Sequence, residues 1–326
     1  MNWDNEPFGR EIDEFLRHKR SLGFKYGREE QLLKMFSQLC GRNGWDGPDL
    51  TKDMVDAWCE KLPFEAERGG GQHCARVSLI RQFAIYLQST GHCVWFPMNV
   101  AHEMSRHSRF VAYVFTHVEM ERLIAAADDI CPHPASTMHL VMPTLLRLLY
   151  SSGTRISETL SIQMRDVDLE AGVIRMVNTK NDKERLVPMS VSMADVLRTY
   201  CSILHPNPQP DDHLFCNVCG QRYNNQSAYT GFRKLLIKAG IPHGGRGAGP
   251  RIHDVRHTAA CHILQRADER GVDLTAMLPV LAEYLGHASV AATGRYLQMT
   301  AEVYPTVNTL VERVCAGMIP EVAGDD

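Results

Sequence analysis

Apolar residues recur at three- and four-residue steps across 8–39, where Ile12, Phe15, Leu16, Leu32, Leu33, Phe36 and Leu39 are separated by charged positions. That spacing gathers side chains on one face of an α-helix. The segment GRNGWDGP (41–48) breaks the pattern with three glycines and a proline, residues that punctuate helices. Thr51 stands where a cap is needed for a second helix, TKDMVDAWCEKL, with Met54, Val55 and Trp58 on one side. Beyond a glycine run at 69–71, a third helix is expected over 77–87, turning Leu79, Ile80, Phe83, Ala84 and Leu87 inward. Residues 1–107 therefore read as a small all-helical domain.

Periodicity fades over GHCVWFPMNVAHEMSRHSR (91–109), which reads as a linker running to about residue 112. Its Arg106 and Arg109 suit either solvent or a phosphate backbone. A second domain is expected over 113–326. A helix starts near Thr116 and runs through Val118, Met120, Leu123 and Ile124, and LVMPTLLRLLYSSG (140–153) reads as a buried helix. The strand signal is GVIRMV (172–177), a polar turn, then RLVPM (185–189), the pattern of a β-hairpin. From Met193 onward the chain reads helical, interrupted at 206–212 and at the glycine-rich 240–251. The expected class is thus mostly α with a small antiparallel sheet.

Composition narrows the function classes only slightly. With 44% hydrophobic and 22% charged residues, the 326-residue chain has the balance of a globular protein. No apolar run approaches the eighteen residues of a membrane span, and the polar start MNWDNEPFGREIDEF is unlike a secretory signal. A cytoplasmic location is expected. The net charge of −3 does not favour a polyanionic partner, but phosphate binding depends on where cations cluster. The ten cysteines are scattered, with a single C-x-x-C at Cys216 and Cys219. A zinc site would need further ligands, such as His205 or His213; the expectation is a simple turn and no metal.

Four segments carry candidate chemistry. Gly153-Thr154-Arg155-Ile156-Ser157-Glu158 follows the buried apolar helix. An arginine opening a helix there needs a partner or an anion, and Glu158, three residues on, can hold it. Lys180 sits in the hairpin turn, where it could deliver a proton, although Lys183 and Arg185 nearby also fit an ordinary charged loop. His253-Asp254-Val255-Arg256-His257 follows the glycine-rich loop and places His253 and Arg256 side by side on a helix, an anion site with an extra donor. Last come Leu285-Gly286-His287, Ser289 as a helix cap, and Tyr296, nine residues after His287. Periodicity does not demand a tyrosine at 296.

In this order, Arg, Lys, His-x-x-Arg, Leu-Gly-His and Tyr resemble the signature of the tyrosine recombinase (phage integrase) family. GTRISE resembles its arginine box, NDKERLVP its hairpin and LGHASVAATGRYLQ its tyrosine box. The motifs cover about 113–300, with an interval between Arg256 and His287 that looks extended by an inserted turn. The resemblance implies an N-terminal core-binding (SAM-like) DNA-clamping domain and an α+β catalytic domain. It implies a site-specific DNA recombinase working through a 3′-phosphotyrosine, with Tyr296 as nucleophile and Arg155, Lys180, His253, Arg256 and His287 as the remaining catalytic residues. It also implies double-stranded DNA as partner, no cofactor, no metal, no ATP, and a homotetramer on paired sites, with or without a companion recombinase. Service to a mobile element fits, whether in integration, excision, inversion or transposition. A type IB topoisomerase-like relaxing enzyme and a catalytically silent DNA-binding accessory protein are the alternatives. Beyond Tyr296, Val307, Leu310, Val311, Val314, Cys315 and Met318 form one apolar stripe, suited to packing on its own domain or on a neighbouring subunit.

Overall fold

The computed structural model describes residues 6–62, 65, 71–97, 112–177, 184–245, 249–287 and 289–298. The chain divides into two compact units, 1–110 and 111–326. Lys180, the linker arginines Arg106 and Arg109, and the stripe from Val307 to Met318 lie outside the described residues.

The first unit is helical: α1 (Gly9–Ser21), α2 (Gly27–Arg42), α3 (Lys52–Cys59) and α4 (Gly71–Ser89). The periodic stretch 8–39 resolves into two helices because Gly23 (φ 88°) and Tyr26 (φ 46°) take left-handed conformations between them. Thr51 caps α3 by accepting from the Met54 amide. The inward residues form one core in which Phe15, Phe36 and Phe83 are fully buried. α4 begins six residues before the apolar pattern does, and Arg76 in that early stretch explains how. Its guanidinium pairs bidentately with Glu65 at 3.0 and 2.7 Å and donates to the carbonyls of Trp58 (2.6 Å) and Glu60 (2.8 Å). A buried cation is tolerable when its donors are used in this way.

The second unit is built around α6 (Met138–Ser152), preceded by α5 (His117–Asp128) and followed by the single turn α7 (Ile156–Thr159). Thr116 and Glu119 form a reciprocal capping box at the start of α5. A three-stranded antiparallel sheet follows, β1 (Val167–Asp168), β2 (Val173–Met176) and β3 (Arg185–Pro188), in the order β1-β2-β3. Val173 pairs with Pro188 and Met176 with Arg185, so Ile174, Met176 and Val187 all turn into the core. The expected hairpin is present; β1, two residues long, has too short a pattern to be read from sequence.

Helices α8 (Val191–Leu204), α9 (Asn225–Lys238), α10 (Asp254–Glu269), α11 (Leu274–Leu285) and α12 (Val290–Gly294) complete the unit, with a 3₁₀ turn at Arg295–Gln298. The stretch between Arg256 and His287 forms the rest of α10, a turn at Gly271 (φ 69°) and the whole of α11. Cys216 and Cys219 flank a tight turn in which the Asn217 side chain accepts from the Cys219 amide. Cys216 is buried and Cys219 exposed. Among the described residues, no group of three or more His, Cys, Asp or Glu is placed to hold a metal.

α10 packs on both α6 and α11. The chain entering α5 is fastened to it as well: the Phe115 amide donates to Thr258 at 3.0 Å, and the His262 ring bonds to the Phe115 backbone. His262 Nδ1 lies 2.6 Å from the Tyr150 hydroxyl, and its ring stacks on His117 at 3.8 Å. Burial, then the neighbouring His117, pushes the His262 pKa down from 6.5 to about 4. The unfolded chain therefore binds more protons than the folded one between these values, and stability must fall as pH drops through that window. The midpoint of thermal unfolding should decrease from pH 6.5 to pH 4.5, and the slope should be shallower for His262→Gln. Equal slopes for the two proteins would remove His262 from this account.

Candidate active site

The site begins where two helices end. α6 stops at Gly153 in a left-handed conformation (φ 58°), and α11 closes in a Schellman turn on Gly286 (φ 68°). There the Gly286 amide donates to Glu283 and the His287 amide to Ala282. That turn leaves the carbonyls of Tyr284, Leu285 and Gly286 without backbone donors from the helix itself. Each accepts from a different arginine: Tyr284 from Arg185 at 3.2 Å, Leu285 from Arg256 at 2.8 Å, and Gly286 from Arg155 at 3.0 Å. Helix C-termini carry partial negative charge, so cations are at home there.

Arg256, on the first turn of α10, is only 2% exposed. Its other donor reaches the Gly153 carbonyl at 2.7 Å, so one guanidinium bridges the ends of α6 and α11. Burial, then the charge of Arg155, lowers its pKa to about 10, leaving it cationic at neutral pH. Arg155 is the residue preceding α7, and its second partner is Glu158 at 2.6 Å, the pairing expected from their spacing. Glu158 in turn pairs with Arg185 at 3.0 Å. Burial opposes ionisation of Glu158, but the bonds from Arg155 and Arg185 outweigh it and hold the carboxyl below its ordinary pKa. A buried hydroxyl pair, Thr154 and Thr159 at 2.7 Å, braces this turn from beneath.

Tyr296 lies on the 3₁₀ turn after α12, 3% exposed, packed with Ala260, Cys261, Leu264, Leu281 and Leu285. Its ring stacks with that of His287, centroids 5.9 Å apart. His287 Nδ1 meets the Thr293 hydroxyl at 2.7 Å. His257 Nδ1 lies within hydrogen-bond distance of the Tyr296 hydroxyl, at 3.2 Å. His253, at the start of α10, meets His257 edge to face at 5.1 Å. Burial, then neighbouring positive charge from Arg256, lowers the His253 pKa. Burial, then His253, lowers that of His257 to about 4.

The structure thus brings Arg155, His253, Arg256, His287 and Tyr296 into one unit around one pair of helix ends; Lys180 lies outside the described residues. Sequence reasoning missed His257 and Arg185. His257 could have been found, since it follows Arg256 directly and lies four residues from His253 on the same helix. Arg185 gave no such signal, because a charge at a strand end reads as solvent-exposed.

At both glycines a side chain would be strained by the backbone and crowded by its neighbours. A Cβ at Gly153 would lie 2.6 Å from Leu285 Cδ2, and one at Gly286 would lie 2.7 Å from the Arg185 guanidinium. Gly220 is a control, with φ 74° and nothing within 4 Å. Gly220→Ala should cost about 1–2 kcal/mol for its left-handed backbone alone. Gly153→Ala should cost roughly 1–3 kcal/mol more, from overpacking. Urea denaturation of the two variants checks this; equal losses would show that the Leu285 contact relaxes freely.

Comparison with known proteins shows the family to which the chain belongs. The model of the phage integrase family matches residues 113–302. The candidate integrase/recombinase y4rB of Sinorhizobium fredii is 30% identical over 316 residues, covering 94% of this chain and 97% of that protein. The tyrosine recombinase XerD of Chlorobaculum tepidum is 30% identical over 223 residues, 68% of each chain. Among solved structures, a lambda integrase dimer bound to a COC′ core site superposes with a TM-score of 0.62 at 15% identity, covering 90% of this chain and 95% of that one. The Tn1549 transposon integrase with a circular intermediate DNA gives 0.64 at 14% identity, covering 95% and 100%. The chain belongs to the phage integrase family and is a tyrosine recombinase, an enzyme of the class that cleaves and rejoins DNA strands in site-specific recombination.

Proposed function

We propose that this recombinase cuts double-stranded DNA by attack of the Tyr296 hydroxyl on a backbone phosphate, giving a 3′-phosphotyrosyl enzyme and a free 5′ hydroxyl. The observation that carries this reading is the Tyr296 hydroxyl on His257, in the unit where Arg155 and Arg256 are fixed on helix-end carbonyls. As the phenol oxygen bonds to phosphorus, charge grows on the non-bridging oxygens. Arg155 and Arg256 neutralise it, and His287 adds a hydrogen bond. A phenol has a pKa of about 10 and needs a proton acceptor at neutral pH. A neutral His257 with its proton on Nε2 presents Nδ1 to the phenol, and His253 beside it extends the relay. The bond to the 5′ oxygen breaks as Lys180 gives that oxygen a proton. Reversal by another 5′ hydroxyl reseals the strand; the phosphotyrosine conserves the bond energy, so no ATP is consumed.

The helical first unit serves in this reading as the core-binding domain that clamps the duplex, and the second as the catalytic domain. Recombination of two duplexes cuts four strands, which calls for a homotetramer on paired sites. The solved lambda integrase tetramer bound to a Holliday junction is a relative with that assembly. The superposition of the Tn1549 transposon integrase supports service to a mobile element.

Tyr296→Phe should abolish detergent-stable covalent capture of DNA while binding, read by gel shift, stays within a few-fold of wild type. An adduct formed by the Phe variant would rule Tyr296 out as nucleophile. Arg155→Ala and Arg256→Ala should each slow cleavage by on the order of 10²–10³-fold. Excess EDTA should leave the cleavage rate unchanged, and strict metal dependence would count against arginines as the charge-neutralising groups.

A further inference from the structure

We propose that Arg185 is a positioning residue for Arg155, acting through Glu158 and the Gly286 turn without touching DNA. The proposal rests on the reading above, in which Arg155 neutralises the phosphate under attack. Arg155 has two anchors, the Glu158 carboxylate and the Gly286 carbonyl. Arg185 bonds the first and lies beside the residue that supplies the second. It holds the second oxygen of Glu158 at 3.0 Å, and its guanidinium lies so close over Gly286 that a Cβ there would displace it. Its remaining anchor, the Tyr284 carbonyl at 3.2 Å, ties the same group to the end of α11.

The placement is fixed from the backbone outward. Arg185 is the first residue of β3 and pairs with Met176, so register decides where its side chain starts. Its side chain is 7% exposed and that of Glu158 is 3%. Without Arg185, a carboxylate buried to that degree keeps one cation and one unpaired oxygen. It can then turn or take up a proton, and either change releases Arg155 from its set direction. Lysine would restore the charge but not the geometry. A single ammonium cannot reproduce the planar fork that reaches Tyr284 from Nε and Glu158 from Nη2.

The same device fastens the hairpin, whose turn carries Lys180, to the arginine box. Arg185 could therefore act on the leaving-group side instead, and the experiment must separate the two routes. Duplexes captured covalently by the wild-type chain from a random-sequence library provide a cleavable site. One such duplex is then synthesised with either an ordinary phosphate or an uncharged methylphosphonate at the mapped scissile position. Rates of adduct formation are measured for the full-length wild type and for R155A, R185A, R185K and the R155A/R185A double variant. Thermal unfolding and gel shift accompany each rate.

R185A should cleave the ordinary duplex slower by on the order of 10²-fold, the scale of a misdirected catalytic group, with binding retained and no rescue by R185K. The double variant should be no slower than R155A alone. The methylphosphonate, carrying no charge to neutralise, should shrink the R155A and R185A defects together. Three results would overturn the proposal: cleavage by R185A within twofold of wild type, multiplicative losses in the double variant, or an R185A defect that persists on the methylphosphonate while that of R155A shrinks. If R185A is too unstable to purify, Glu158→Gln cuts the same ionic link with little change of shape and must show the same pattern. Wild-type cleavage by R155A would instead bring down the underlying reading of Arg155.

Discussion

A helix must leave its last carbonyls unpaired within its own hydrogen-bond ladder, and at the end of α11 that obligation organises the site. The Schellman turn on Gly286 satisfies the carbonyls of Ala282 and Glu283, and the next three fall to Arg185, Arg256 and Arg155. Backbone carbonyls hold a guanidinium in place without cancelling its charge. Arg256 donates to two carbonyls of this kind, and the Glu158 carboxylate is shared between Arg155 and Arg185. Among the described residues of this hydrogen-bonded cluster, three guanidinium groups thus share one carboxylate. A chain of net charge −3 thereby holds a local site for a polyanion. The total charge was a poor guide because it sums over distances that solvent screens.

The same field acts on the imidazoles. Burial disfavours a charged ring, and the positive groups nearby disfavour it further, so His253 and His257 both sit below their ordinary pKa values. Near neutral pH His257 is uncharged, the state in which an imidazole nitrogen can accept a proton from a phenol. In the proposed reaction, an environment that attracts phosphate would also keep the proton acceptor empty. Burial does most of this for His257, with His253 and then Arg256 adding to it. In the proposed reaction, the arriving phosphate would partly offset the positive field and so favour the imidazolium as the tyrosine loses its proton.

Much of this was legible in the sequence, for definite reasons. The helices of the first unit followed from their apolar stripes, and the hairpin from β-branched residues flanking a charged turn. Arg155 with Glu158 followed from i, i+3 spacing on one face. What stayed hidden depended on tertiary contact. Two helices replaced one periodic stretch because Gly23 and Tyr26 take left-handed conformations that no stripe reveals. Arg76 lengthens α4 by pairing with Glu65, eleven residues away. Arg185 looks like a loop charge until β3 is placed beside α11. His257 stayed unremarked because a shared face on α10 ranks it with His253, and only the position of the 3₁₀ turn brings it to the Tyr296 hydroxyl.

The order of the segments in the chain also has a physical reading. Gly153 and Arg155, Arg185, Arg256, and Gly286 come from separate elements and meet only through the fold, so the spacing between them is free to vary. The interval from Arg256 to His287 holds the rest of α10 and the whole of α11. From Gly286 onward that freedom disappears. His287 is the second residue past α11, Thr293 lies six residues further and bonds its ring, and Tyr296 stacks on the same ring. This short path through α12 ties the tyrosine to the helix end that seats the arginines. The hydroxyl is thus set relative to the guanidinium groups by ten residues of local chain together with its packing on α10. A tight leash suits a bond-forming pair, since an error of about 1 Å in their approach can cost on the order of 10²-fold in rate.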